Sequence, residues 1–276
     1  MIGPDFVGIG AARSGTSWLY EVLDRHPSIW LPPIKELHYF DDPSRSKRYY
    51  SYLRMRLISG LWVRRPFSAW DLQYFFGRPC DEWYSRLFEP GRRCGLLTGE
   101  ITPAYAILDE AILERIQAIN RQVKLIYLMR DPVMRCWSAV MKQGVAESPG
   151  AEDAIRYAHS EGVWARSIYL NSIERLERVF QRGQIFYGFF DELCDDPNAL
   201  VTRLLIFLGV APGDVGRLLP AAPVNAAAAG KRPPPEFERA LAACFLPWVN
   251  RLCERFEGPP HIWRARYQAL LDGRGR

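Results

Sequence analysis

The chain has 276 residues and carries 36 Lys and Arg against 31 Asp and Glu, a net charge of +5. This length allows one sizeable core or two modest ones. The weak positive charge requires no nucleic-acid partner, and the sequence contains no recognisable nucleic-acid-binding motif. It also contains no apolar stretch of ~18 residues that would cross a bilayer.

The six cysteines show neither C-x-x-C pairs nor metal-ligand spacing. They lie mostly in apolar segments, which predicts buried, reduced thiols and a cytoplasmic protein. We also expect no signal peptide before the first motif, in keeping with that location. The composition, rich in Ala, Arg and Gly and without a membrane anchor, is typical of a bacterial enzyme.

The first predicted elements are a strand from Phe6, a glycine-containing turn and a helix that begins near Trp18. Such an arrangement binds phosphate, because free N–H groups and the positive end of the helix dipole point at the anion. The spacing from Gly10 to Ser17 nearly matches the nucleotide P-loop G-x-x-x-x-G-K-[ST]. Thr16, however, stands where that motif has the Lys that reaches the β- and γ-phosphates, and the cation Arg13 comes three residues earlier. The turn therefore suits a short anion rather than a magnesium triphosphate; the alternative is a turn that binds no ligand.

An extended or looped segment follows, since a Pro-Pro pair breaks any helix there. It contains Lys35-Glu36-Leu37-His38. In an extended backbone the side chains of Glu36 and His38 point the same way, because side chains alternate along a strand. The two side chains can then share one site. The alternative for Glu36 is a solvated carboxylate paired with Lys35.

Residues 49–90 contain a span rich in Arg and aromatic side chains and form a predicted insertion of helices and loops. Aromatic rings and cations suit a sugar or an anionic glycan; amphipathic helices that pack on the core are the alternative. The segment from Glu100 to Tyr105 contributes either side chains that face a cleft or a plain strand end and turn.

An apolar run from Val123 to Met129 predicts a buried parallel strand. A helix begins after it, because Asp131 is a natural N-cap and Pro132 a natural first helical residue. Arg130 then lies at the carboxyl edge of the sheet, where open α/β sheets bind ligands. Ser138 lies about two turns into the helix. The alternative is a Walker-B strand in which Asp131 holds magnesium.

Two more segments complete the chain. Residues 184–209 predict another strand followed by a helix, and residues 225–235 predict a flexible, basic loop that contains Gly230, Lys231 and Arg232.

Together these motifs resemble the sulfotransferases that use 3′-phosphoadenosine 5′-phosphosulfate (PAPS), most of all the heparan-sulfate and other carbohydrate sulfotransferases. The likeness covers nearly the whole chain. The stretches that carry it are Arg13-Ser14-Gly15-Thr16-Ser17-Trp18, with Arg in place of the family's Lys, Lys35-Glu36-Leu37-His38-Tyr39-Phe40, and Arg130 with Ser138. The family's E-K-[ST]-P-x-Y segment corresponds to Glu100–Tyr105, where Ile101 replaces the Lys.

For the donor, the resemblance implies that residues 13–17 hold the 5′-phosphosulfate, with Arg13 neutralising the oxygen that leaves. It implies that Arg130 and Ser138 bind the 3′-phosphate. Trp18 either stacks on the adenine or packs in the core. 

For the acceptor side and the closing loop, the resemblance implies that Glu36 is the base that takes the acceptor proton. His38 is its partner or the alternative base. Gly230, Lys231 and Arg232 either close over the cofactor or form a solvated basic loop.

We therefore predict an α/β fold, a P-loop NTPase-like single domain over residues 1–276 with a central, mostly parallel sheet flanked by helices. The predicted reaction moves a sulfuryl group from PAPS to a hydroxyl of a sugar, lipid or secondary metabolite, without a metal, and leaves 3′-phosphoadenosine 5′-phosphate. The insertion at 49–90 would shape the acceptor cleft. Two other functions stay open, a P-loop-type small-molecule kinase and a non-catalytic nucleotide- or anion-binding module.

Overall fold

The computed structural model describes residues 2–42, 53, 67–143, 150–220 and 232–273. Within them, five strands form one sheet in the order β2-β3-β1-β4-β5, and every pair of neighbours is parallel. The strands are β1 (Phe6–Gly10), β2 (Ile29–Trp30), β3 (Leu97–Ile101), β4 (Lys124–Met129) and β5 (Ile185–Phe189).

Helices pack on both faces of this sheet. Those of the described residues are α1 (Thr16–Asp24), α2 (Ala69–Phe76), α3 (Asp81–Arg86), α4 (Glu89–Arg93), α5 (Glu110–Ile119), α6 (Pro132–Lys142), α7 (Ala151–Ala158), α8 (Glu161–Ala165), α9 (Tyr169–Val179), α10 (Phe190–Asp195), α11 (Pro197–Leu208), α12 (Pro235–Cys253) and α13 (Pro259–Leu271). Short 3₁₀ turns lie at Pro103–Ile107, Arg182–Gln184 and Val215–Arg217.

Strand β4 illustrates how the apolar pattern builds two cores. Leu125, Tyr127 and Met129 belong to one buried cluster, together with side chains of α5, α6, α9, α12 and α13. Ile126 and Leu128 belong to a second cluster, which α1 and α11 complete on the opposite face. Side chains alternate along a strand, so a continuous apolar run is what a strand covered on both faces requires. Each fully buried large apolar side chain contributes roughly 1.5–3 kcal/mol.

The order of connections decides where a ligand can bind. After β1 the chain crosses to β2 and β3 on one side, whereas β4 and β5 lie on the other side of β1. The crossovers that leave β1 and β4 therefore diverge and open a crevice at the carboxyl ends of these two strands. Open α/β sheets bind their ligands at such a switch point.

The predicted α/β fold is confirmed, and the sheet is wholly rather than mostly parallel. The predicted strands and helices around residues 6–23, 123–138 and 184–209 are present as β1 with α1, β4 with α6, and β5 with α11. In the insertion at 49–90, the described part contains α2 and α3 and the start of α4.

The prediction of mostly buried cysteines is wrong. All six are unpaired, but only Cys136 is buried, because the others lie at helix ends or on outward helix faces: Cys80, Cys94, Cys194, Cys244 and Cys253. The cytoplasmic location stays a prediction.

None of the described helices is both long enough and apolar enough to span a membrane.

Candidate functional site

Three residues predicted to bind the donor meet at the carboxyl ends of β1 and β4. Arg13 Nε donates to Ser138 Oγ at 3.0 Å, although 125 positions separate the two residues. Arg130 Nη1 donates to the carbonyl oxygen of Arg13 at 3.1 Å. The loop after β1 (residues 11–15, the phosphate loop) is thereby joined to Arg130, directly after β4, and to the middle of α6.

The phosphate loop has the backbone of an anion cradle. Arg13 has φ +74° and Gly15, which caps α1, has φ +88°. A Cβ on Gly15 would be strained at this φ and would lie 2.9 Å from Leu193 Cδ1 of α10, so that side chain would have to shift. Ser14 is fully buried, and its Oγ has no hydrogen-bond partner among the described residues. An orphaned buried hydroxyl costs free energy unless a bound group satisfies it, so the loop fits an oxyanion at the N-terminus of α1.

Electrostatics point the same way. Burial lowers the pKa of Arg13, and repulsion from Arg130 and Arg135 lowers it further. Burial also lowers the pKa of Arg130, although Tyr169 and several acidic groups act against this. Cations held together against their mutual repulsion favour an anion between them.

Arg135 was not predicted from the sequence. It is 1% exposed, and its guanidinium donates to Ser167 Oγ at 2.9 Å and to the Val163 carbonyl at 2.6 Å. The sequence feature that could have identified Arg135 is a lone cation among apolar positions of the predicted helix that follows Arg130.

The segment with the candidate base is a loop, here called the 35–41 loop. It is not extended, because Glu36 and His38 have φ +69° and +54° in the left-handed region. The two side chains nevertheless share one site, which the sequence allowed for an extended segment, since His38 Nε2 lies 3.0 Å from Glu36 Oε2. The looped backbone, rather than the alternation of a strand, brings them together.

Asp41, which the sequence analysis did not predict, contacts His38 on the side of the ring opposite Glu36. His38 Nδ1 lies 2.8 Å from Asp41 Oδ2, so both ring nitrogens face carboxylates. Ionised carboxylates only accept hydrogen bonds, so a ring nitrogen that carries a hydrogen can donate to the carboxylate it faces. The i, i+2, i+5 spacing of Glu36, His38 and Asp41 was the available signal.

Lys35 holds the other oxygen of Glu36, with Nζ 2.9 Å from Oε1. The predicted ion pair with Lys35 and the predicted contact with His38 therefore coexist. Burial acts to raise the pKa of Glu36, but the hydrogen bond with His38 and the charge and hydrogen bond of Lys35 outweigh it and bring the pKa to about 2. The side chain of Glu36 is 33% exposed and that of His38 only 7%. An ionised, reachable carboxylate is thus presented to solvent.

The 35–41 loop lies close to the helix that carries Ser138. Burial lowers the pKa of Lys35, and the charge of Lys142 lowers it further. Lys142 follows Ser138 by four positions, so both lie on one face of α6. Leu37 N donates to Thr102 Oγ1 directly after β3, so the 35–41 loop lies at the same carboxyl edge of the sheet as Arg13 and Arg130.

Glu100 and Tyr105 do not face the cleft; they form a buried strand end and turn. Glu100 is 1% exposed and Tyr105 is fully buried. Burial raises the pKa of Glu100 to about 7, against the hydrogen bonds from Thr102 and Tyr84. Ile101 is buried in the second core cluster, against Gly8, so no cation replaces the family's Lys at that position.

Asp131 acts as a helix cap. Its Oδ1 accepts from Met134 N at 3.1 Å and from the Tyr267 hydroxyl at 2.9 Å. This occupancy favours the cap over the Walker-B interpretation. Among the described residues, no group of three or more His, Cys, Asp or Glu side chains is placed to hold a metal ion.

The remaining predicted site residues differ in how far they are buried, and two of them are not described by the structure. Thr16 is buried, while Ser17 and Trp18 are half-buried, and Trp18 packs against the second core cluster. Gly230 and Lys231 lie outside the described residues. Arg232 is exposed, shortly before α12.

Comparison with known proteins identifies relatives of this chain. The family model of the sulfotransferase domain matches residues 3–220. Heparan sulfate glucosamine 3-O-sulfotransferase 3B1 of Mus musculus is 27% identical over 216 residues, which are 75% of this chain and 46% of that protein. Heparan sulfate glucosamine 3-O-sulfotransferase 6 of Homo sapiens is 31% identical over 150 residues, 50% of this chain and 43% of that protein. The chain thus matches less than half the length of these relatives.

Among solved structures, a sulfotransferase from Alicyclobacillus acidocaldarius superposes with a TM-score of 0.66 at 26% identity, over 96% of this chain and 100% of that one. The sulfotransferase domain of the Synechococcus PCC 7002 olefin synthase has a TM-score of 0.58 at 21% identity, over 84% and 82% of the two chains. The second likeness concerns the fold alone.

Proposed function

The chain belongs to the sulfotransferase family, and from that membership we propose that it transfers a sulfuryl group from PAPS to a hydroxyl of an acceptor. The observation that carries the proposal is the meeting of Arg13, Arg130 and Ser138 at the switch point of the sheet. Two cations that precede helices α1 and α6, with a hydroxyl from within α6, suit a ligand with two separate anionic groups.

PAPS supplies the sulfuryl group when bound. Ser14, Thr16 and Ser17, with the free N–H groups at the start of α1, would hold its 5′ end, and the orphaned Ser14 hydroxyl supports this assignment. Arg130 and Ser138 would hold the 3′-phosphate. Arg13 would neutralise the charge that grows on the leaving oxygen, because a preorganised cation stabilises such charge best.

Glu36 is the proposed base. Its carboxylate is ionised and one third exposed, so an acceptor hydroxyl can give its proton to a carboxylate oxygen. His38 is the weaker candidate, because both of its nitrogens already face carboxylates and its side chain is 7% exposed. We assign His38 to orienting Glu36, with Asp41 holding the far side of the ring.

A sugar hydroxyl is the proposed acceptor, since several relatives are heparan sulfate glucosamine 3-O-sulfotransferases. The assignment rests on these names and on the aromatic, Arg-rich insertion at residues 49–90. This chain departs from the family's pattern at two positions, where Ile101 and Arg13 each stand in place of a Lys.

A thermal-shift titration tests the donor class. Adenosine 3′,5′-bisphosphate is compared with AMP, ADP and Mg-ATP at matched concentrations. Stabilisation that requires the 3′-phosphate supports the proposal, and a ligand at 100 times its Kd raises stability by ~2.7 kcal/mol. A larger stabilisation by Mg-ATP than by adenosine 3′,5′-bisphosphate would instead support the alternative function, a P-loop-type small-molecule kinase.

Turnover is then measured as the adenosine 3′,5′-bisphosphate formed from PAPS, with glucosamine-containing oligosaccharides as acceptors. Release of this product that depends on the acceptor supports a sulfotransferase. Binding without turnover on sugar, lipid and phenol acceptors would support the non-catalytic module.

A further inference from the structure

A buried carboxylate that the proposed reaction does not use lies behind the 35–41 loop. Glu100, at the end of β3, is 1% exposed. It accepts three hydroxyl donors: Tyr84 at 2.5 Å, Thr102 at 2.7 Å and Tyr105 at 3.4 Å. Tyr84 belongs to α3, whereas Thr102 and Tyr105 lie in the turn that follows β3.

Two of these hydroxyls also receive hydrogen bonds from the 35–41 loop. Leu37 N donates to Thr102 Oγ1 at 3.0 Å, and Tyr39 N donates to the Tyr105 hydroxyl at 2.9 Å. A hydroxyl has one hydrogen and two acceptor lone pairs. When Glu100 is ionised it only accepts, so the Thr102 hydroxyl points its hydrogen at Oε2 and keeps its lone pairs for Leu37 N. The Tyr105 hydroxyl, 3.4 Å from Glu100 Oε1, accepts Tyr39 N in the same way.

The two anchored amides lie at Leu37 and Tyr39, between and after the two left-handed residues Glu36 and His38. Non-glycine residues keep that conformation only where the surroundings hold it. The anchor itself is rigid, because Thr102 N donates to the Gly8 carbonyl of β1 at 2.9 Å. The same strand β1 leads directly into the phosphate loop.

We propose that Glu100 is a positioning residue that orients the Thr102 and Tyr105 hydroxyls, so that they hold Glu36 and His38 in register with the phosphate loop. Glu100 acts through the two hydroxyls and touches no reacting atom. Its effect on catalysis rests on the proposed function, in which Glu36 is the base; its effect on the loop does not.

The test begins with Thr102→Val, which keeps the shape of the side chain and removes the hydroxyl. Hydrogen exchange of the Leu37 and Tyr39 amides is followed by NMR on the protein without ligands. Loss of one buried hydrogen bond of this kind predicts roughly tenfold or faster exchange at Leu37. Thr102→Ser restores the hydroxyl and should restore slow exchange. Glu100→Gln should accelerate exchange at Leu37 or at Tyr39, since its NH₂ group replaces one carboxylate oxygen and turns around the hydroxyl that faces it.

Thr98→Val is the matched control. Thr98 is also fully buried on β3, and its hydroxyl donates to Asp5 Oδ2 at 2.8 Å, near the other end of the strand. This variant loses a comparable hydrogen bond and should leave exchange at Leu37 unchanged. Melting curves of all variants are recorded beside the exchange data.

Catalysis gives a second, separate readout. In Thr102→Val and Glu100→Gln, kcat should fall roughly tenfold or more while the Kd for adenosine 3′,5′-bisphosphate stays within about twofold. Unchanged exchange at Leu37 in Thr102→Val, or a Ser variant as impaired as the Val variant, would overturn the positioning role. If the wild type transfers no sulfuryl group, the proposed function fails, and the exchange data still decide whether Glu100 holds the loop.

Discussion

Replacing Arg130 with alanine removes the guanidinium proposed to bind the 3′-phosphate. The side chain donates to the Arg13 carbonyl at 3.1 Å and lies over the Phe190 ring at 4.3 Å. The variant should therefore lose donor affinity through the missing phosphate contact and lose some stability through the missing internal contacts. These two effects can be separated.

The magnitude follows from the contacts. A hydrogen bond to a charged group contributes ~1.5–3 kcal/mol, which corresponds to a loss of ~10–150-fold in affinity for adenosine 3′,5′-bisphosphate. The cation–π contact and the hydrogen bond to the Arg13 carbonyl contribute ~1 kcal/mol each to the fold. At 2–4 °C per kcal/mol for a chain of about this size, Tm should fall by roughly 4–8 °C.

Isothermal titration calorimetry measures the affinity of each variant for adenosine 3′,5′-bisphosphate and for AMP, which lacks the 3′-phosphate. We expect Arg130→Ala to weaken only the bisphosphate, so that the preference for it over AMP collapses. Arg121→Ala, an exposed arginine just before β4, is the control and should change neither affinity. An equal loss for both ligands would refute the assignment, because it would mean that Arg130 acts by holding the phosphate loop.

Three further predictions concern the base, the buried carboxylate and the phosphate loop. Glu36→Gln should lower kcat by ~10²-fold or more in a PAPS turnover assay, with unchanged affinity for adenosine 3′,5′-bisphosphate. Glu114→Gln, on an exposed helix face, is the control and should leave kcat unchanged. Retained activity in Glu36→Gln would mean that another residue is the base. Because folding raises the pKa of Glu100 from 4.5 to about 7, the folded protein binds this proton more tightly, and its contribution to stability is lost as pH rises through that window. In urea titrations from pH 4.5 to 8, the wild type should lose on the order of 3 kcal/mol relative to Glu100→Gln, and parallel curves would contradict this. Gly15→Ala should cost ~1–2 kcal/mol from its φ of +88°, should displace the Leu193 side chain of α10, and should abolish binding of the bisphosphate. Gly95 has φ +69°, and no atom lies within 4 Å of a Cβ added there. Gly95→Ala should therefore show only the conformational cost in urea titrations and should keep the affinity for the bisphosphate in calorimetry.

The local signals in the sequence predicted local structure well. The apolar run that ends before Arg130 became β4, and Asp131 with Pro132 began α6, because capping and φ preferences act within a few residues. The resemblance to sulfotransferases is confirmed by the match to residues 3–220. The roles of the individual site residues remain predictions.

Patterns that depend on distant contacts were predicted less well. The 35–41 loop was expected to be extended or looped, with Glu36 and His38 on one side only if extended, and the structure brings them together by left-handed turns instead. Glu100 was a candidate for the cleft and is buried, because burial depends on α3 and the turn after β3 packing over it. The cysteines were expected inside because their neighbours are apolar, but a helix buries only one face.

By itself the sequence determined the strand–turn–helix at residues 6–24, the cap at Asp131 and the chemical character of each candidate side chain, since these depend on bonded neighbours and short-range hydrogen bonds. Only the tertiary structure decided that Arg13 reaches Ser138 across 125 positions and that Leu37 is held by Thr102 across 65. Both contacts depend on the strand order, which places β1 between β3 and β4. The order in which strands pair follows from packing of both sheet faces over the whole chain, and no local stretch contains that information.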